Sequence, residues 1–416
     1  MLKNWEQLIY TEAVMVNPRV HLEKGKPYPF LDMASVDPSA RCAWTAEWRP
    51  FTGGGARFAV GDTLLARITP CLENGKIARY CGQLAHEAHG STEFIVIRGR
   101  GNITDSAYAY YLTKWEGVSG YAISQMTGTS GRQRVPTESL SNLLVPIPPL
   151  PEQRRIAHIL GTLDDKIENN RKTAKTLEAM AQAIFKSWFV DFDPVRAKVE
   201  GRWQRNQSLP GLPAYLYDLF PDRIVESELG EIPEGWEVGT LEKLLVLQRG
   251  FDLPTKDRVK GDFPVIAAGG INGSHHEPMV RGPGVITGRS GVLGNAFFEL
   301  GDFWPLNTTL WVKEFRAAKP CYAFQLLRCI DFAVFNAGSA VPTLNRNHIH
   351  GIQQVIPTAD CVEQFETIAF PMRQHIATSQ NESRTLAQLR DTLLPKLISG
   401  ELRVPAAQDL VEDALL

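Results

Sequence analysis

Residues 146–151 read PIPPLP, no further proline follows until Pro194, and the only glycine in between is Gly161. No other feature limits the possible folds as much. The clustered prolines keep the approach extended, and Pro151 stands where the first turn of a helix tolerates one. A helix filling the stretch would run to about 40 residues and roughly 60 Å. That is too long to fold back inside one ordinary domain.

Positions 156, 160, 163, 167, 170, 174, 177, 181, 184 and 188 alternate steps of four and three. They hold Ile156, Leu160, Leu163, Ile167, Asn170, Ala174, Leu177, Ala181, Ile184 and Trp188, a heptad seam with a polar residue at its centre. Adding 209 gives Phe365, Ala369, Met372, Ile376, Ser379, Ser383, Leu386, Arg390, Leu393 and Leu397, again polar at mid-seam. The flanks repeat as well. VPTESLSNLLVPIPPLPEQ precedes the first helix and VPTLNRNHIHGIQQVIPTADCVEQ the second, while YPFLDMASV resembles FPVIAAGGI, GDTLLARITP resembles GPGVITGRSG, and STEFIVI resembles NTTLWV.

The chain therefore reads as a globular unit plus a long helix, written twice. Antiparallel pairing would set Asn170 near Ser383, Ala174 near Ser379, Ile156 against Leu397 and Trp188 against Phe365. A buried polar layer of this kind fixes register at some cost in stability. Parallel pairing also matches the centres, but the chain must return through residues 193–357 to start the second helix, which favours antiparallel. The expected division is a first globular domain at 1–150, a helix at 151–193, an ordered linker at 194–233, a second domain at 234–357, a second helix at 358–403 and a tail at 404–416. Pro395 marks the last turns of the second helix, with Gly400 beyond.

Composition narrows the function classes. A chain of 416 residues has length for two or three domains. No apolar run reaches membrane-span length, and MLKNWEQLIY lacks a signal-peptide pattern, so a cytoplasmic protein with no membrane partner is expected. The six cysteines form no CxxC pair and are expected as free thiols. Residues 1–150 carry 15 Lys/Arg against 13 Asp/Glu, residues 234–357 carry 12 against 11, and residues 358–416 carry 5 against 9. A broad basic face is thereby excluded, and nucleic-acid binding would need help from partners.

Catalytic motifs are missing. There is no GxxxxGK[ST] phosphate loop, DFDP at 191–194 lacks the second proline and the aromatic of an amino-methyltransferase tetrapeptide, and FPDRIVESELGE at 220–231 has no suitably placed lysine and reads as linker. His86, His89, His275 and His276 have no Cys or carboxylate set to complete a metal site and are expected on surface loops.

Three segments in order, LVPIPPLPEQRRIAHILGTLDDKIENNRKTAKTLEAMAQAIFKSWFVDFDPV, GEIPEGWEVGTLEKL and LRDTLLPKLISGEL, resemble the specificity subunit of type I restriction–modification enzymes, and the resemblance covers essentially the whole chain. It implies an α+β fold: two tandem target-recognition domains separated by two long helices packed as an antiparallel coiled coil, in a pseudo-twofold internal repeat. It further implies a non-catalytic subunit whose domains each read half of a bipartite double-stranded DNA site. The helices would fix the gap and dock two methyltransferase subunits, with restriction subunits completing the complex. S-adenosylmethionine would sit on the methyltransferase, ATP and Mg on the restriction partner, and no cofactor on this chain. The alternatives are a coiled-coil scaffold without its own DNA readout, or an enzyme with an unrecognised motif.

Groove readout favours Arg, Lys, Asn and Gln, and phosphates are held by hydroxyl, amide and basic groups. In the first domain TGTSGRQR (127–134) offers Ser130, Arg132, Gln133 and Arg134, and ARITPCLENGK (66–76) offers Arg67, Asn74 and Lys76 on a strand followed by a turn. In the second the matching places are Arg289 and Ser290, then Asn272, Ser274 and His275, then Asn336, Ser339 and Arg346. Trp44 and Trp48 are expected in the core.

Overall fold

The computed structural model describes residues 5–45, 47–82, 85–129, 131–335 and 343–415, residue 333 by its backbone alone. Ser130, Asn336 and Ser339 lie outside the described residues. The chain divides into two compact units, Met1–Arg171 with Asn381–Leu416, and Lys172–Gln380. The long helices span Leu150–Phe189 and Ala359–Ser399. Each stops short of the expected 193 and 403 for a local reason. Phe192 takes a left-handed φ of 55° and caps a new helix, Asp193–Val199, while Gly400 turns left-handed at φ 77°.

In the first unit a five-stranded sheet runs Val14–Val16, Phe94–Gly99, Thr63–Ala66, Ile77–Tyr80, Cys42–Ala43, antiparallel except for the last pair. A four-stranded sheet runs Trp48–Pro50, Pro27–Leu31, Glu87–Gly90, Ala56–Ala59, with its central pair parallel. Strand alternation divides the five-stranded sheet between two cores. Leu64, Phe94 and Val96 face Leu31 and Phe58 of the other sheet, whereas Leu65, Ile95 and Ile97 face Tyr108 and the long helices. Thr63–Ala66 is buried along its whole length, Thr63 included.

On the helical side, Ile156, Leu160, Leu163 and Ile167 share one core with Leu386, Leu393 and Leu397. Each such fully buried side chain contributes about 1.5–3 kcal/mol. The expected tail is a helix, Val404–Leu415, whose Val404, Ala407 and Val411 join the same core. Asp164 meets Arg390 and Asn170 meets Glu382, so position rises along one helix as it falls along the other. The two segments run antiparallel. Asn170 bonds Glu382 at 2.8 Å, one residue from the expected Ser383.

In the second unit a four-stranded antiparallel sheet runs Leu245–Arg249, Thr309–Phe315, Gly284–Gly288, Ala296–Glu299. A three-stranded sheet runs Gly270–His275, Phe263–Ala267, Trp304–Pro305, its last pair parallel. Val285, Leu310 and Val312 face the helices, while Ile286 packs on Ile266 and Phe303. Trp188 lies 6.3 Å from Phe365, and Glu178 pairs with Arg373, again antiparallel. The stretch 194–233 packs against the second unit's core. Trp203, Leu216 and Phe220 are buried, and FPDRIVESELGE forms part of a hairpin, Ile224–Ser227 with Gly230–Pro233.

Along the seam Ile156, Leu160, Leu163, Ile167, Asn170, Trp188, Phe365, Ile376, Leu386, Leu393 and Leu397 are buried, and Leu177, Ile184 and Met372 are half-buried.

Several expectations are corrected. Cys42 and Cys81 are joined in a disulfide with Cα atoms 5.5 Å apart, because the parallel pairing of Cys42–Ala43 with Ile77–Tyr80 closes 39 residues of chain. Trp44 and Trp48 are 50% and 44% exposed, since Trp48 sits on an edge strand and Trp44 in the loop before it. His89 and His275 are buried rather than on surface loops.

Candidate nucleic-acid interface

The strand Thr63–Ala66 ends at Arg67, and the loop after it carries the first set of candidate contacts. Arg67 N–H donates to Glu93 O (2.9 Å), and Val135 N–H donates back to Arg67 O (2.8 Å). The returning segment is a hairpin closed by Thr127 and Arg134, with N–H to O distances of 3.0 and 2.8 Å. It is pinned to the loop by Thr69, whose Oγ1 accepts from Gln133 N–H at 3.0 Å and whose N–H donates to Gln133 O at 3.0 Å. Gly128 and Gly131 adopt φ of 130° and 81°, values an L side chain strains to reach, so the tight tip requires glycine.

Within this frame the candidates separate into two kinds. Arg67 is half-buried and spends its guanidinium on Val135 O at 2.8 Å. Arg134 forks onto Glu93, Nε to both carboxylate oxygens at 3.0 Å and Nη2 to Oε1 at 2.7 Å. That guanidinium holds the Glu93 carboxyl below its usual range. Lys76 donates to Met33 O at 2.6 Å. These three cations hold the loops in place. Arg132 and Asn74 are exposed, and among the described residues their side chains make no hydrogen bond or ion pair. Gln133 is half-buried beside them.

The second unit repeats the frame. Arg289 N–H donates to Thr308 O (2.8 Å), Leu344 N–H donates to Arg289 O (2.9 Å), and Ser290 meets Thr343 across an isolated bridge, their hydroxyls 3.4 Å apart. Arg289 reaches Asn307 O at 3.5 Å. Asp252 gathers Asn307 and Arg249 beside it. Arg346 is exposed on the short helix Arg346–His350.

Asn272, Ser274 and His275 stand elsewhere, on a hairpin of the three-stranded sheet. Arg258 holds the backbone and side-chain oxygens of Asn272 at 2.6 and 2.7 Å. His275 is buried, its ring 5.3 Å from that of Trp304 and its Nδ1 accepting from Val259 N–H at 3.2 Å. The ring is therefore enclosed and corrects its reading as a groove contact. Ser274 is half-buried.

Glu93 was not among the sequence candidates. Its only signal is its place in STEFIVI, directly before a buried strand, and an acid there attracts no notice in a search for cations. The same holds for Gln153, fully buried in the PEQ motif. It accepts from Asp105 N–H at 2.9 Å and donates to Ile103 O and Pro148 O, each at 2.8 Å, thereby seating the helix Ser106–Lys114 on the first long helix. Among the described residues no group of three His, Cys, Asp or Glu side chains could hold a metal, and no helix is long and apolar enough to cross a membrane.

Residues 76–179 match the family described as the type I restriction modification DNA specificity domain. The chain is 26% identical over 327 residues to the MjaIX type I restriction enzyme specificity subunit of Methanocaldococcus jannaschii, covering 72% of this chain and 69% of that one. It is 26% identical over 417 residues to the HindI specificity subunit of Haemophilus influenzae, covering 84% and 88%. A crystal structure of the type I restriction–modification system S subunit from M. genitalium superposes with a TM-score of 0.61 at 17% identity, covering 95% of this chain and 96% of the other.

Proposed function

Because this chain belongs to the specificity subunits of type I restriction–modification enzymes, we propose that it catalyses no step itself and that each of its units reads one half of a bipartite double-stranded DNA site. The observation that carries this reading is the repeated frame around Arg67 and Arg289, each presenting exposed (Asn74, Arg132, Arg346) and half-buried (Gln133, Ser290) polar side chains beside a braced arginine. In the first unit the direct contacts are Arg132, Gln133 and Asn74; in the second they are Ser290 and Arg346. Arg67, Arg134, Lys76 and Arg289 serve them by shaping the loops.

The long helices act as an antiparallel coiled coil that sets the gap and docks two methyltransferase subunits, the two target-recognition domains being related by a pseudo-twofold repeat. S-adenosylmethionine belongs to the methyltransferase, and ATP with Mg to a restriction partner. Near-neutral recognition units bind DNA weakly alone, so affinity depends on the assembled complex.

The test is co-expression with a type I methyltransferase subunit, followed by mapping of methylated DNA. An interrupted sequence of two fixed halves is expected. Methylation by the partner at the same sites without this chain would refute the reading.

A further inference from the structure

A three-way junction built around one acid occurs in each unit. In the first, the helix Ser106–Lys114 beneath the sheet and both long helices meet at Asp164. Tyr111 donates its hydroxyl to Asp164 Oδ2 at 2.7 Å, and Arg390 donates to Oδ1 at 2.7 Å. Asp164 is 5% exposed and Arg390 6%. Arg41 adds a strut, pairing with Asp165 and donating to Gly161 O at 3.2 Å. It passes close over Gly161, where a Cβ would stand 3.0 Å from the guanidinium.

In the second unit Glu178 is the meeting point. It pairs with Arg328 from the helix Pro320–Cys329, which lies beneath that unit's sheet, and with Arg373 from the second long helix. Arg373 is buried and lies 4.1 Å over the ring of Phe324, on that same short helix. In both junctions the acid comes from the first long helix, a cation from the second, and the third group from the short helix carrying the sheet. The residues are not repeat copies: adding 209 takes Asp164 to Arg373 and Glu178 to Ala387. The two units thus hold the same arrangement with different residues.

A buried ion pair is a poor source of net stability, because desolvation offsets most of the attraction. What it provides is direction. An apolar contact survives a small tilt, whereas the buried Asp164 carboxylate, hydrogen-bonded on one oxygen by Tyr111 and on the other by Arg390, tolerates little. Half-buried Glu178 holds Arg328 by a hydrogen bond and Arg373 by charge. The charge states suit the task. Burial and then Asp164 push the Tyr111 hydroxyl well above its ordinary range, so it remains a donor. At Arg390 burial opposes the charge, but Asp164 and Asp391 outweigh it.

We propose, resting on the functional reading above, that Asp164 and Glu178 are positioning residues for DNA recognition. Each fixes the angle at which its unit's sheets stand on its helix segments, and through that angle the gap between half-sites that the complex accepts. Neither touches DNA.

The test uses the complete chain with its methyltransferase subunit, S-adenosylmethionine, and duplexes that differ only in gap length. Asp164→Asn and Glu178→Gln keep the shape and remove the charge. Each variant should methylate the same half-site bases, while the preference for the natural gap over one a base pair longer or shorter falls roughly tenfold, the usual size of a coupling between contacting residues. Leu64→Ala, which opens the core between the sheets away from the junction, should lower the melting temperature and leave that preference intact. An unchanged preference in Asp164→Asn and Glu178→Gln overturns the proposal, as does an equal loss in Leu64→Ala. If Asp164→Asn does not assemble, Tyr111→Phe removes one bond to the same oxygen pair and is held to the same outcomes. Failure of the unaltered complex to methylate any bipartite site would overturn the functional reading, and with it this one.

Discussion

Arg67 and Arg289 occupy the same point of their two sheets. Each follows a buried strand, each gives its N–H to the neighbouring strand (Glu93 O at 2.9 Å, Thr308 O at 2.8 Å), and each takes an N–H from the returning loop (Val135 at 2.8 Å, Leu344 at 2.9 Å). The burial pattern agrees, since Leu64 and Ile286, three residues before each arginine, both face the space between sheets. Both guanidiniums then turn to backbone carbonyls, Val135 O and Asn307 O. They brace loops, and their removal should cost structure rather than change the sequence read. Arg67→Ala is expected to destabilise its unit by about 1–3 kcal/mol through the carbonyl it leaves unpaired. Thermal melts and mapping of the methylated sequence check this together; an altered half-site at unchanged stability would refute the bracing role.

Arg132 makes the opposite prediction. It is exposed at the tip of a hairpin whose closing residues are already occupied. Arg132→Ala should leave the melting temperature unchanged and weaken recognition of one half-site by about 1–3 kcal/mol if it reads a base edge. Binding titrations of the complex against singly substituted half-sites measure the effect, and a uniform loss across all sequences would assign Arg132 to a phosphate.

Gln153 holds three backbone groups with no exposure to water. Gln153→Leu keeps the volume and leaves Asp105 N–H, Ile103 O and Pro148 O without it. A loss on the order of 3 kcal/mol follows, which for a unit of this size lowers the melting temperature by about 6–12 °C. Differential scanning calorimetry reads it directly.

His350 gives the second unit a pH dependence. Leu247 N–H donates to its Nε2 at 2.9 Å, a bond that only the unprotonated nitrogen accepts. Burial lowers the ring's affinity for a proton, Glu242 opposing in part. As pH falls the unfolded chain therefore binds a proton before the folded one does. The stabilisation is complete above about pH 6.5 and declines below it, at well under about 1.4 kcal/mol per pH unit because the ring is partly solvated. Melting temperatures of the unaltered chain and His350→Gln should draw together between about pH 7.5 and about pH 5. Parallel curves would contradict the assignment.

The long helices were legible because a seam of alternating four- and three-residue steps has one economical outcome, and the proline cluster fixes its start. The strand before Arg67 was legible only in part: the sequence placed it within 66–76, whereas it spans Thr63–Ala66 and ends before the arginine. The partners of the arginines were not legible. Arg134 meets Glu93 across 41 residues of sequence, and nothing local to either residue signals a pairing made by sheet register. Register also defeats comparison by eye. Setting GDTLLARITP against GPGVITGRSG residue by residue places Arg67 on Gly288, whereas the hydrogen bonds place it on Arg289. A one-residue slip exchanges the two faces of a strand, so only the fold shows which positions correspond. His275 misleads for the same reason: an NGSHH turn looks exposed until Trp304 is found against the ring.

Independent reading by the two units is the central claim, and exchange of one unit tests it most directly. Residues 234–345 are replaced by the corresponding segment of another specificity subunit, the hybrid is co-expressed with the methyltransferase subunit, and methylated sites are mapped across a genome. The account predicts that one half of the recognised sequence changes while the other half keeps its bases. A change in both halves, or in neither, would contradict it.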